Sequence, residues 1–138
     1  MTGDEFARLL ARTFQAVVPP GFHVRADGSM LWFTAHPGVG YFGGTAGSQV
    51  VEHFFSRWGP PLIADRATVA AEMALDELQD YVDEESTEPW PGRTPSGPAR
   101  PHAEVRDGKL CMWFGDEGAE VLTLEPIQIQ ETEFDKGR

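Results

Sequence analysis

Two ten-residue segments, 24–33 (VRADGSMLWF) and 105–114 (VRDGKLCMWF), constrain this chain more than any other feature. Each begins Val-Arg, turns at Asp-Gly and ends Trp-Phe. Asp-Gly between apolar runs is a strong hairpin signal, because glycine readily takes the positive φ that a two-residue turn needs. The sequence therefore predicts two β-hairpins, each following a helical stretch. The Asp-Gly pairs are offset: Gly28 precedes Trp32 by four positions, whereas Gly108 precedes Trp113 by five. With side chains alternating at period 2, that offset predicts tryptophans pointing opposite ways relative to their turns. An ancient duplication and a chance recurrence of hairpin grammar both remain open.

The flanks supply helices. Thr2 and Glu5 have capping-box spacing, and Phe6, Leu9, Leu10, Phe14, Val17 and Val18 form one apolar stripe that stops at Pro19-Pro20. Residues 22–26 and 29–35 read as the strands of the first hairpin. A glycine-rich loop, 36–47, comes next, with short strand content around 39–42. Ser48 is placed to cap a short helix over 48–58 carrying Val50, Val51, Phe54, Phe55 and Trp58, closed by Gly59-Pro60-Pro61. The longest helix runs from about 65 to 85. Val69, Met73, Leu75, Leu78 and Val82 are expected inside, and Glu72, Asp76, Asp80, Asp83 and Glu84 outside.

Residues 87–101 hold five of the chain's 11 prolines and predict an extended, polyproline-like connection. The second hairpin follows over 102–114, then a strand over 119–125 and an alternating edge strand at Ile127–Gln130, with a frayed tail at 131–138. The order α-β-β-α-α-β-β-β predicts an α+β fold: one antiparallel sheet of about five strands with about three helices on one face.

At 138 residues and 41% hydrophobic, the chain suits a single domain, 1–138, with its own core. Its 22 acidic against 11 basic side chains, a formal charge of −11, disfavour a nucleic-acid backbone as partner. Neutral or cationic partners fit better. One cysteine excludes an intrachain disulfide, and the start Met-Thr-Gly-Asp-Glu has neither the basic nor the apolar run of a leader. No apolar run of about 18 residues exists. The expectation is a cytosolic protein that does not enter membranes.

Candidate sites are few. The segment 38–47 suggests phosphate cradling ahead of a helix, but it lacks the Lys-Ser/Thr of a P-loop and a dinucleotide fingerprint. His23, His36, His53 and His102 show no metal-ligand spacing, so neither a metal nor a cofactor is expected. Cys111 falls in an apolar strand, where a thiol is commonly buried and inert. The acids Glu72, Asp76, Asp80 and Asp83/Glu84 recur every three or four residues and line one side of the long helix. That stripe is either simply solvated or matched to a basic partner. Trp90, between two prolines, either covers the core or anchors a partner.

The runs ALDELQDYVDE (74–84), EPWPG (88–92), PHAEVRDG (101–108) and WFGD (113–116), with VVPPGFHVRADG (17–28), resemble a family of small actinobacterial proteins of unknown function. The resemblance implies a GC-rich bacterial source, in keeping with arginine far outnumbering lysine and no asparagine at all. It implies no activity, cofactor or site residue. The element order is also similar to secretion-chaperone-like adaptor folds, which often dimerise, although two consecutive central helices and a terminal strand depart from that pattern.

These readings favour a non-enzymatic interaction module, of adaptor, chaperone or immunity type, presenting Glu72, Asp76, Asp80, Asp83, Glu84 and Trp90 to a protein partner. The alternative is a small-ligand binder or enzyme that uses loop 38–47 with His36, Tyr41 and His53. A homodimer through helix 48–58 or the terminal edge strand is compatible with either.

Overall fold

A computed structural model describes residues 2–35, 45–51, 63–86 and 88–129. The expected loop strand at 39–42, the helix over 48–58 beyond its first residues Val50 and Val51, and the tail 131–138 lie outside them.

Helix α1 spans Gly3–Gln15. The Thr2 hydroxyl accepts the Glu5 N–H at 3.2 Å, which satisfies one of the donors a helix start leaves open. Phe6, Ala7, Leu10, Ala11 and Phe14 are buried against strands β1 (Phe22–Asp27) and β2 (Met30–Ala35). Strand β3 (Thr45–Ser48) adds to β2, giving an antiparallel sheet in the order β1-β2-β3. The glycine-rich stretch thus ends as a strand: small residues at 46 and 47 lie opposite the bulky Phe33 and Trp32.

Helix α2 spans Ile63–Glu85 and packs on both larger sheets. Val69 and Met73, expected inside, are 42% and 46% exposed. Its buried side is Ala67, Ala70, Ala71, Ala74, Leu75, Leu78, Tyr81 and Val82. The physical reason is size: methyl side chains let one helix approach two sheets closely, and an apolar stripe counted from large residues alone is rotated away from the true contact. The Tyr81 hydroxyl ties α2 to the first sheet by accepting the Ala35 N–H at 2.7 Å.

The proline-rich segment is not a polyproline connector. It holds a small hairpin, β4 (Arg93–Thr94) with β5 (Gly97–Pro98). Thr94-Pro95-Ser96-Gly97 puts proline and glycine where a four-residue turn favours them, and the Thr94 hydroxyl donates to the Gly97 carbonyl at 3.0 Å. Strands β6 (Pro101–Arg106), β7 (Lys109–Asp116), β8 (Ala119–Thr123) and β9 (Ile127–Gln128) form the second large sheet, with β8 and β9 both paired to β7. Ile127 and Ile129 are buried and Gln128 is exposed, the alternation the sequence predicts.

The fold is therefore α+β with antiparallel pairing, but the expected single sheet of five strands under three helices is replaced by sheets of three, two and four strands with two helices among the described residues. No ladder joins the two hairpins. One buried cluster, running from Phe6 to Ile129, draws residues from both helices and both larger sheets, so side-chain packing rather than backbone pairing connects them.

The hairpins settle the parity question. In the second, Arg106 pairs with Lys109 and the turn is Asp107-Gly108, with φ of 51° and 74°. In the first, Asp27 pairs with Met30, so the turn is Gly28-Ser29 rather than Asp27-Gly28. Positive φ at both central residues marks one primed turn, and glycine at the first central position marks the other. Moving the turn by one residue absorbs the offset. Trp32 and Trp113 consequently share the outward parity, and Val24, Phe33 and Phe114 the inward one, contrary to the expectation that the tryptophans oppose each other.

Candidate functional site

The exposed side of α2 carries Glu72, Asp76, Asp80 and Glu84, and the structure divides the acids of this helix by task. Asp83 is half-buried, and its carboxylate accepts the Trp90 N–H at 2.7 Å. Glu72 reaches β6 and accepts the Ala103 N–H at 3.3 Å. Asp76, Asp80 and Glu84 remain exposed at helical spacing. Trp90 packs edge-on to Phe114, with ring centroids 5.2 Å apart, and belongs to the margin of the core. Its indole is half-buried against the interior.

Sequence reasoning missed Gln79, which is 5% exposed. Its side-chain amide donates to the carbonyls of Trp90 at 3.1 Å and Ala99 at 2.6 Å, clasping the proline-rich segment to α2. A lone glutamine inside an acidic helix carries no sequence signal for this; only its place on the alanine side of α2 would have flagged it.

Also missed was Glu77. It joins Asp80 and Glu84 in a cleft of about 230 Å³ between α2 and β2–β3, whose other walls are Phe33, Ala46, Gly47 and Tyr81. Burial in this cleft pushes the Asp80 carboxyl above the ordinary aspartate value, and the charges of Asp76, Asp83 and Glu84 push it further, with Arg100 partly offsetting them. A raised folded-state value means that the folded protein holds this proton more tightly than the unfolded chain. The charged form is therefore a cost, fully present at neutral pH and relieved as pH falls through the raised value into the ordinary carboxylate range. Asp80→Asn is accordingly expected to raise the melting temperature at pH 7, with the gain shrinking to nothing as the pH falls through that window. Thermal unfolding followed across pH checks this; an unchanged or lowered melting temperature at pH 7 contradicts it.

The outward faces of the two hairpins carry a second, smaller arrangement. The Arg25 guanidinium lies 5.7 Å from the centre of Trp32, and that of Arg106 lies 5.0 Å from the centre of Trp113. The His102 ring also lies against Trp113, with centroids 5.5 Å apart and the planes tilted by 30°. Arg106 also pairs with Glu104 and Glu117, and these contacts hold its guanidinium still more firmly protonated. Cys111 is half-exposed on this face rather than buried, because it alternates with the buried Leu110 and Met112. Exposed ion pairs of this kind contribute little to stability.

His36, Tyr41 and His53 lie outside the described residues, as does most of loop 38–47. Among the described residues no group of three His, Cys, Asp or Glu side chains is placed to hold a metal ion, and no helix is long and apolar enough to cross a membrane. No protein-family model, curated protein or solved structure matches the chain.

Proposed function

We propose that this chain is a non-enzymatic, cytosolic protein-interaction module that takes a basic segment of a partner protein along the C-terminal half of α2. In this reading Asp76, Asp80 and Glu84 meet arginine or lysine side chains, and one such side chain enters the cleft beside Glu77, Phe33 and Tyr81. The observation that carries it is the cleft that sets the carboxylates of Glu77, Asp80 and Glu84 beside the rings of Phe33 and Tyr81. A cation seated there replaces repulsion with attraction and gains an aromatic wall as well. Asp83 and Trp90 serve this surface indirectly, by fixing the loop that borders it.

The test is affinity capture of partners from native lysate, followed by titration of the purified partner against wild type and the triple variant Asp76→Asn, Asp80→Asn, Glu84→Gln. Asp83 stays intact because its carboxylate holds Trp90. Exposed ion pairs contribute about 0.2–1 kcal/mol each, so losing three is expected to weaken binding by roughly 3-fold to 150-fold, and added salt should weaken the wild type in the same direction. A partner bound equally by both proteins and insensitive to salt refutes the acidic-face reading.

A further inference from the structure

The N-terminal half of α2 has a different character. Among the described residues Val69 and Met73, one turn apart, are the two most exposed of the large hydrophobic side chains, at 42% and 46%. Beside them runs a groove of about 370 Å³ between α2 and the start of β6, lined by Glu72, Met73, Asp76, Arg100, Pro101 and His102. One wall is acidic and comes from the helix. The other carries Arg100, which is exposed and forms no ion pair with any carboxylate of its own chain among the described residues. Glu72 has a hydrogen bond to Ala103 to hold it, whereas Asp76 has no cationic partner within ion-pair distance among the described residues.

We propose that this groove, with Val69 and Met73, is a two-fold contact between copies of this chain. A surface that sets an apolar centre between one acidic and one basic wall is complementary to itself. In a two-fold contact, residue i meets residue j of the second copy while j meets i. Met73 of each chain then lies against the apolar patch of the other, and Arg100 of each reaches the acids Glu72 and Asp76 of the other. A foreign basic segment fits this half of α2 poorly, since Arg100 repels it and the apolar pair would stay uncovered. Contiguous exposed apolar side chains rimmed by charge mark association surfaces in general. The overall charge of −11 on each copy opposes approach at long range and makes the dimer a weak one.

Sedimentation velocity tests this on the full chain, up to roughly 300 μM, beyond the micromolar limit of ordinary specific interfaces. The expected result is a reversible, concentration-dependent shift from monomer to dimer, abolished by Met73→Asp and by Arg100→Glu. Combining Arg100→Glu with Asp76→Arg restores opposite charges across the contact at unchanged net charge, and is expected to recover association. All three positions are exposed or line the open groove, and circular dichroism confirms that each variant is folded. A wild type that stays monomeric throughout overturns the proposal. So does a dimer that persists in Met73→Asp, which would place the contact elsewhere, or a charge-swapped pair that fails to recover. Met73→Asp leaves Asp76, Asp80 and Glu84 unchanged, so partner capture measured on that variant can succeed or fail independently of dimerisation.

Discussion

Replacing Gln79 with alanine is expected to lower the unfolding free energy by about 3–4 kcal/mol, a large share of the roughly 5–15 kcal/mol available to a domain of this size. Three costs combine. The substitution removes two hydrogen bonds, one to Trp90 and a short one to Ala99, and the Ala99 residue is fully buried. A buried carbonyl left without a donor costs about 1–3 kcal/mol. The missing side chain also leaves a void against α2, and interiors relax only partly around such voids. Gln79→Leu separates these effects: it refills most of the volume yet still strands the carbonyls, so it should recover only the packing part. Denaturant unfolding of both variants gives the answer. If Gln79→Ala loses less than about 1 kcal/mol, water has taken over the clasp, and Trp90 packing, the Asp83 bond and the Gly115 N–H to Arg100 carbonyl bond hold the segment without it.

The second large effect is expected at Gly115, where alanine should cost about 3 kcal/mol. Here β7 and β8 slip register between Phe114 and Gly115, and the backbone passes through φ of 104°. A side chain at that φ is strained by about 1–3 kcal/mol. Space is short as well: a Cβ would stand 3.0 Å from the Val121 nitrogen and 3.2 Å from the Ala119 oxygen, both backbone atoms that cannot swing aside. Crowding of this kind adds about 1–3 kcal/mol. Gly28 is the control. Its φ is 62°, but a Cβ there meets nothing within 4 Å, so Gly28→Ala should cost only the conformational part, about 1 kcal/mol. If the two substitutions cost the same, the bulge has room to open and the close approach to β8 is not what selects glycine.

Legibility in the sequence followed the strength of local signals. The hairpins were readable because turn residues and apolar alternation agree, and α1 because its cap and its large apolar residues agree. The boundaries of α2 came within about two residues, and Leu75, Leu78 and Val82 lie inside as expected; Val69 and Met73 do not, because the decisive contacts there are alanine methyl groups, which a stripe of large side chains leaves out. Division into separate sheets was invisible because strand pairing beyond a hairpin is decided by packing at long range. The proline-rich segment misled for another reason: proline excludes helix and central strand yet suits a tight turn, and the Thr94 to Gly97 order carried that information. Of the candidate site, Glu72, Asp76, Asp80, Asp83 and Glu84 were legible, whereas Glu77 and the division of these acids by task were not. Asp83 and Glu72 are committed to backbone donors from segments 7 and 31 positions away, which spacing along one helix cannot reveal.

One contact near the start of the chain governs a different property. β1 lies at the margin of its sheet, and beyond the end of α1 the Gln15 side chain turns back onto it, donating to the Phe22 carbonyl at 3.0 Å and accepting the Val24 N–H at 2.6 Å. A primary amide carries one donor group and one acceptor, the same pair that a neighbouring strand would offer. Gln15 therefore stands in for a strand and occupies the margin where a stray chain would begin to add. Unpaired sheet margins are templates for aggregation, and proteins close them with charge, proline, bulges or cover. Among the described residues Gln15 does so with one side chain, and Gln15→Ala is accordingly expected to hasten aggregation on heating by more than its loss of two hydrogen bonds lowers stability, as light scattering during a thermal ramp would show.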